Sequence, residues 1–190
     1  MMETEKKHGD SDTLCVEKIG GKNSFAKYSN PLLFVVVGLL AGIGIKLFCL
    51  DLLRVSGSSM EPTIASGSQI LVNKLSFGLV EPFGDELLIQ WKEPERDDVV
   101  LYFYNNRGVI KRCVAVAGDR LEFSHDFGYS LIVNEKSIPL TESQYQRLKH
   151  NQQVPFGMIL ALGDNYDESV DSRDYGFVSV KNVLGRIIGK

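Results

Sequence analysis

The chain has 190 residues, enough for one domain with its own core plus a short appendage. Its 21 Lys and Arg against 24 Asp and Glu leave a net charge of −3 with the basic residues scattered, which argues against a phosphate backbone, and so nucleic acid, as a partner. The cysteines, Cys15, Cys49 and Cys113, have no paired spacing, which disfavours a disulfide framework or a zinc knuckle.

In chain order, residues 1–30 mix charges with Gly, Ser and Asn and show no period, the composition of a disordered tail. Pro31 to Leu53 then reads PLLFVVVGLLAGIGIKLFCLDLL, without a charge between Pro31 and Ile45. As one helix, about 23 residues rising about 1.5 Å each reach roughly 35 Å, enough to cross a hydrocarbon core of about 30 Å. The spacing therefore predicts a transmembrane helix over 31–53, with Lys46 near its far end snorkelling toward the interface. A cleaved signal peptide or a buried core helix is the weaker reading; a signal peptide's apolar stretch is usually shorter and starts nearer the terminus. Lys18, Lys22 and Lys27 precede the helix, while Asp51 and Arg54 nearly cancel after it. The positive-inside bias thus predicts a cytoplasmic amino terminus and an extracytoplasmic domain over 54–190.

Beyond Arg54 short apolar runs recur between turn residues, an all-β pattern. Strands are predicted at Gln69–Asn73, Glu86–Trp91, Asp98–Tyr104, Val109–Ala117, Arg120–Phe123, Ser130–Val133, Met158–Leu162, Gly176–Ser179 and Val183–Ile188. Turns fall at Gly67, Gly84, Asn105–Gly108, Gly118–Asp119, Asn134–Glu135 and Gly163–Asp164. Residues 141–153 fit either a short helix or a loop.

Two residues stand out for chemistry. Ser59 opens Ser59-Met60-Glu61-Pro62-Thr63 just after the apolar run, and Lys111 leads a second segment with Val109, Ile110, Val114 and Val116 as apolar neighbours. An ordinary lysine, with a pKa near 10.4, is almost wholly charged at pH 7, so a lysine base must be desolvated before it can take a proton from a hydroxyl. The acidic run Asp164, Asp167, Glu168 and Asp171 is a poor calcium loop, since Tyr166 and Val170 interrupt it and the turn glycine is missing. His8, His125 and His150 read as solvated, and Cys113 as a small packed side chain.

These segments carry a resemblance. SGSSMEPTI (56–64), VIKRCVAVAGD (109–119) and GDNYDESVDSRDYGFV (163–178) resemble, in order, the nucleophile, lysine and carboxy-terminal boxes of the type I signal peptidases, membrane-bound serine proteases; ERDDVVLYF (95–103) is similar to their strand before the lysine. The resemblance implies a mainly β fold, a signal-peptidase-like antiparallel β domain with one N-terminal transmembrane helix. It makes Ser59 the nucleophile and Lys111 the general base, with Ser169 hydrogen-bonded to the Lys111 amine. Met60 would anchor the segment beside the membrane, Pro62 would hold the turn that presents Ser59, and Arg112 with Asp164 and Asp171 with Arg173 would form supporting ion pairs. Gly57 stands where some relatives have an oxyanion-hole serine, leaving backbone donors such as the Ser59 N–H and the glycine's own N–H, or Ser58 or a water. Asp97 stands where many relatives have glycine, and the short connection between the last two boxes implies a small or missing accessory subdomain.

The implied function is removal of signal peptides from exported preproteins at the outer face of the cytoplasmic membrane, with no cofactor and no metal, membrane lipids as the other partner and a monomer as the simplest state. A dedicated peptidase for one client, such as a pilin or conjugation protein, shares every feature. A non-catalytic membrane-anchored peptide-binding module would not need both Ser59 and Lys111, and a self-cleaving repressor would carry a DNA-binding region in place of the anchor.

Overall fold

The structure, a computed structural model, describes residues 30–81, 84–126 and 128–189. The tail predicted over 1–30, with Lys18, Lys22, Lys27, His8 and Cys15, lies outside the described residues except for its last position. Two units separate, residues 1–37 and 38–190.

Helix α1 (Pro31–Gly44) continues as a π-turn over Ile45–Cys49, and none of its residues is buried. Together these 19 residues, apolar except for Lys46, rise about 28 Å, close to the thickness of a hydrocarbon core. The helix ends four residues earlier than the apolar run suggests. Leu50–Arg54 forms strand β1, paired in register with β2 (Gln69–Asn73) from Leu50↔Asn73 to Arg54↔Gln69. Alternation of exposed and half-buried positions along LDLLR is the strand period, masked in the sequence by the high leucine content. Lys74 caps the change of direction: its Nζ donates to the Lys46 and Leu47 carbonyls, both at 3.4 Å, and lies 3.5 Å from Asp51. A cation at orphan carbonyls of a helix end satisfies both acceptors and dipole.

The rest is antiparallel β structure. β5 (Val99–Tyr104), β6 (Arg107–Val116), β10 (Met158–Leu162), β11 (Val178–Ser179) and β12 (Val183–Gly189) join the first two strands in one sheet of order β1-β2-β12-β5-β6-β10-β11. β3 (Gly78–Val80) and β4 (Leu87–Gln90) form a hairpin; β7 (Glu122–Ser124), β8 (Ser130–Val133) and β9 (Lys136–Pro139) form a small sheet. Among the described residues, that sheet and helix α2 (Glu142–Leu148) are the regular elements between β6 and β10, the small accessory element expected there. The undecided segment 141–153 is helical at its start because Thr141 and Gln144 make a capping box.

β10 explains how the core is divided. Its period sends Ile159 and Ala161 to a cluster with Phe77, Val100, Tyr102, Cys113 and Val183, and Leu160 and Leu162 to a second with Leu131, Val133 and Ile138 of the small sheet. A third cluster of Val55, Met60, Ile64, Ile70, Val72 and Leu101 roots the connection between β1 and β2.

Asp97, where the resemblance implies glycine, forms the turn ahead of β5. It adopts φ +66°, a left-handed conformation that Asp tolerates better than most side chains, and its carboxylate meets Lys136 at 3.2 Å.

Candidate active site

Lys111 sits midway along β6, opposite Val100 of β5 and on the same side of its strand as Val109 and Cys113. The apolar cover thus differs from the sequence reading: Val109 contributes, but Ile110 and Val114 pack into the other two clusters. The side chain is 3% exposed. Burial pulls its pKa below the ordinary lysine range, against the charge of Asp171, which raises it, and with the help of Arg173. Its Nζ lies 2.7 Å from Ser59 Oγ, within hydrogen-bonding distance.

Ser59 comes from the irregular connection between β1 and β2. Val55, Met60 and Ile64 bury their side chains in the third cluster, and the Val55 N–H donates to Ser68 O at 2.9 Å, so both ends of the connection are pinned while Ser59 stays half-buried. Met60 is 2% exposed and packs in the core, which anchors the segment to the domain. Pro62 follows a cis peptide.

The third contributor is the segment after β10. A Cβ on Gly163 would lie 2.4 Å from the Ser59 carbonyl oxygen and 2.2 Å from Ser169 Oγ, so only glycine lets these segments approach. Asn165 donates from its backbone to Ser59 O (3.0 Å) and from Nδ2 to Ser58 O (3.3 Å). Asp171 caps the short helix α3 (Ser172–Tyr175) and is fully buried. It accepts from Gly163 N (3.0 Å), Ser169 Oγ (2.6 Å) and Arg173 Nε (2.9 Å). Arg173, 2% exposed, also donates to the Pro139, Tyr166 and Ser169 carbonyls and so ties β9 to the loop and to α3.

The Asp171–Arg173 and Arg112–Asp164 pairs both form, the latter with two parallel bonds of 2.8 and 2.7 Å. Burial pushes the Asp164 carboxyl up, but hydrogen bonds from Arg112 and Thr63 outweigh it and hold it below the usual carboxylate range. With these partners, Asp164 and Asp171 face cations of the protein itself, against the calcium reading. Ser169 departs from expectation: its hydroxyl donates to Asp171 and makes no bond to the Lys111 amine. It reaches the base only through Asp171, whose charge acts on that amine.

Gly57 has φ +106°, a backbone conformation that a side chain would strain. Its N–H donates to Ser66 Oγ at 3.3 Å, and the Ser58 hydroxyl donates to Glu168, so neither is available as the oxyanion donor considered from the sequence. Cys113 is fully buried and burial raises its thiol to about 12, the state of an inert packed residue. His125 and His150 are exposed. Sequence reasoning gave no catalytic or supporting role to Gly163, Asn165 or Glu168, although all three lie in the carboxy-terminal box.

The sequence matches the family described as signal peptidase, peptidase S26, over residues 28–189. The chain belongs to that family. It is 28% identical to signal peptidase I of Pseudomonas fluorescens, over 93% of this chain and 72% of that protein. It is 30% identical to signal peptidase I of Bacillus caldolyticus, over 81% of this chain and 85% of that protein. A solved structure of a signal peptidase I from Enterococcus faecalis is 29% identical, covering 51% of this chain and 98% of that one with a TM-score of 0.37. The peptidase's three boxes converge in this fold at the contact between Ser59 and Lys111.

Proposed function

We propose that the chain is a signal peptidase I, a membrane-bound serine endopeptidase that removes signal peptides from preproteins with Ser59 as nucleophile and Lys111 as general base. The 2.7 Å contact between Ser59 Oγ and a buried amine carries this reading. A neutral Lys111 takes the Ser59 proton as Oγ attacks the scissile carbonyl carbon; the resulting ammonium protonates the leaving nitrogen as the C–N bond breaks. Water then attacks the Ser59 ester as the same amine takes its proton; the ammonium returns that proton to Ser59 Oγ as the ester C–O bond breaks, and the signal peptide leaves as an acid that ionises in solvent.

The substrate has an edge to join. β10 pairs with β6 only at Arg112–Val116, so 107–111, including Lys111, has an unpaired side on which an extended peptide adds as a strand. Helix α1 anchors the enzyme, with the amino terminus cytoplasmic and the catalytic domain on the outer face of the cytoplasmic membrane; the lysines ahead of the helix support this orientation. Exposed Leu50, Leu52, Leu75, Leu88, Ile89 and Trp91 support lipid contact by the adjoining strands. The Trp91 indole N–H donates to Leu75 O at 3.1 Å, so the ring meets lipid with its polar atom satisfied. Anchoring enzyme and preprotein at one depth makes their encounter more frequent.

The test is to incubate the detergent-solubilised protein, and its Ser59→Ala and Lys111→Ala variants, with several preproteins and to sequence the new amino termini. Cleavage at the signal-peptide junction by the parent and loss of about 10⁴-fold or more in each variant is expected. Near-normal cleavage by either variant overturns the dyad.

A further inference from the structure

Ser59 makes no hydrogen bond through its own N–H to the described residues. The alternatives beside it are engaged: the Gly57 N–H by Ser66 Oγ, the Ser58 hydroxyl by Glu168. The donor left in this segment for a developing oxyanion is the Ser59 N–H, and its direction is set by the peptide linking Ser58 and Ser59. In a planar trans peptide the carbonyl of one residue and the N–H of the next point opposite ways. Asn165 Nδ2 holds the Ser58 carbonyl at 3.3 Å and Asn165 N holds the Ser59 carbonyl at 3.0 Å. Glu168, three residues on, holds the Ser58 side chain from the same loop.

We infer that Asn165 is a positioning residue for oxyanion stabilisation: by drawing the Ser58 carbonyl toward the loop after β10, it turns the Ser59 N–H to the opposite side, where the scissile carbonyl oxygen becomes charged. The inference rests on the peptidase reading. Asn165 touches neither the substrate nor the reacting atoms; it acts through one peptide plane. The Asn165 backbone bond survives any substitution other than proline, so the side-chain amide is the part to remove.

Asn165→Asp is the informative variant because it keeps the shape and replaces the donor with an acceptor that repels the Ser58 carbonyl. A misdirected oxyanion donor costs up to about 10²–10³-fold in kcat when lost outright, so Asn165→Asp should lower kcat by about 10–100-fold with KM held within about threefold. A peptide aldehyde forms a tetrahedral adduct on Ser59 whose oxygen occupies the oxyanion position, so its inhibition constant should weaken about as much as kcat falls. Asn165→Ala should fall on the same side by a smaller factor, and it carries the test if Asn165→Asp does not fold. The inference is overturned if the folded variant keeps kcat within about threefold of the parent, or if kcat falls while aldehyde affinity does not. A parent that cleaves no preprotein sinks the peptidase reading itself; a parent that cleaves, beside an equally active Asn165→Asp, sinks only this inference.

Discussion

Lys111 stands in a 10-residue strand with β5 along one flank and β10 meeting the other just beyond it, whereas Ser59 lies in a connection without ladder bonds. The base is therefore fixed by regular structure, and its buried setting follows from strand geometry. The nucleophile is held from a distance: by Met60 and Ile64 in the core below and by Asn165 and Gly163 more than a hundred residues later in the chain. A substitution of the base should change the chemistry and leave the fold in place; loss of the buried ion pair or of the tightly packed glycine in the carboxy-terminal loop should disturb both.

Lys111→Met breaks the comparison most sharply. Methionine matches the lysine stem in length, so preprotein cleavage should fall by about 10⁴-fold or more while the sheet persists. Stability should rise, by about 0.5–2 kcal/mol in denaturant titration at neutral pH, because an amine costly to bury is gone. The sign follows from proton linkage. With its folded pKa below the ordinary value of 10.5, Lys111 binds fewer protons folded than unfolded, so its cost is fully present below the folded pKa and is relieved as pH rises toward 10.5. In the parent, kcat/KM should climb with pH to a plateau reached below 10.5 as the amine loses its proton. A parent profile still climbing at pH 10.5 would mean a solvated amine.

Arg173→Ala tests the other side. It leaves Asp171 buried with its charge uncompensated, for an expected loss of about 3–5 kcal/mol and, with the loop released, of most activity. Gly163→Ala should cost less, about 1–3 kcal/mol, since one methyl group displaces the Ser59 carbonyl segment from the loop. Its activity should nevertheless drop more than tenfold, which assays alongside melting curves would separate from simple unfolding.

The same contrast explains what could be read in the sequence. Strands with clear apolar alternation between turn residues, such as β2, β5, β6, β8 and β10, fall within a residue or two of expectation. β1 was hidden because a leucine-rich run satisfies a membrane helix and a strand alike, and the change between them depends on pairing with β2 and on Lys74. β3 and β9 are short and became strands only through their partners. At the site, Ser59 and Lys111 were legible because the chemistry demands those residue types, and both ion pairs only through the resemblance to the signal peptidase boxes. The partner of Ser169 and the grip of Asn165 on the Ser58–Ser59 peptide were not, since both follow from how two irregular segments cross.

The smallest expected effect belongs to the Arg112–Asp164 pair, which shares β6 with the base yet lies 23% and 16% exposed. Asparagine keeps one acceptor for Arg112, so Asp164→Asn should cost about 1 kcal/mol and only a few-fold in cleavage. Its signature is the acid limb of stability. Asp164 has a folded pKa below the usual carboxylate value of about 3.9, so its contribution is present above that value and is lost as pH falls through the folded one. Denaturation midpoints followed from pH 6 down to pH 2 should therefore converge for the parent and Asp164→Asn. Curves that stay parallel to the lowest pH would show that the carboxylate contributes packing rather than charge.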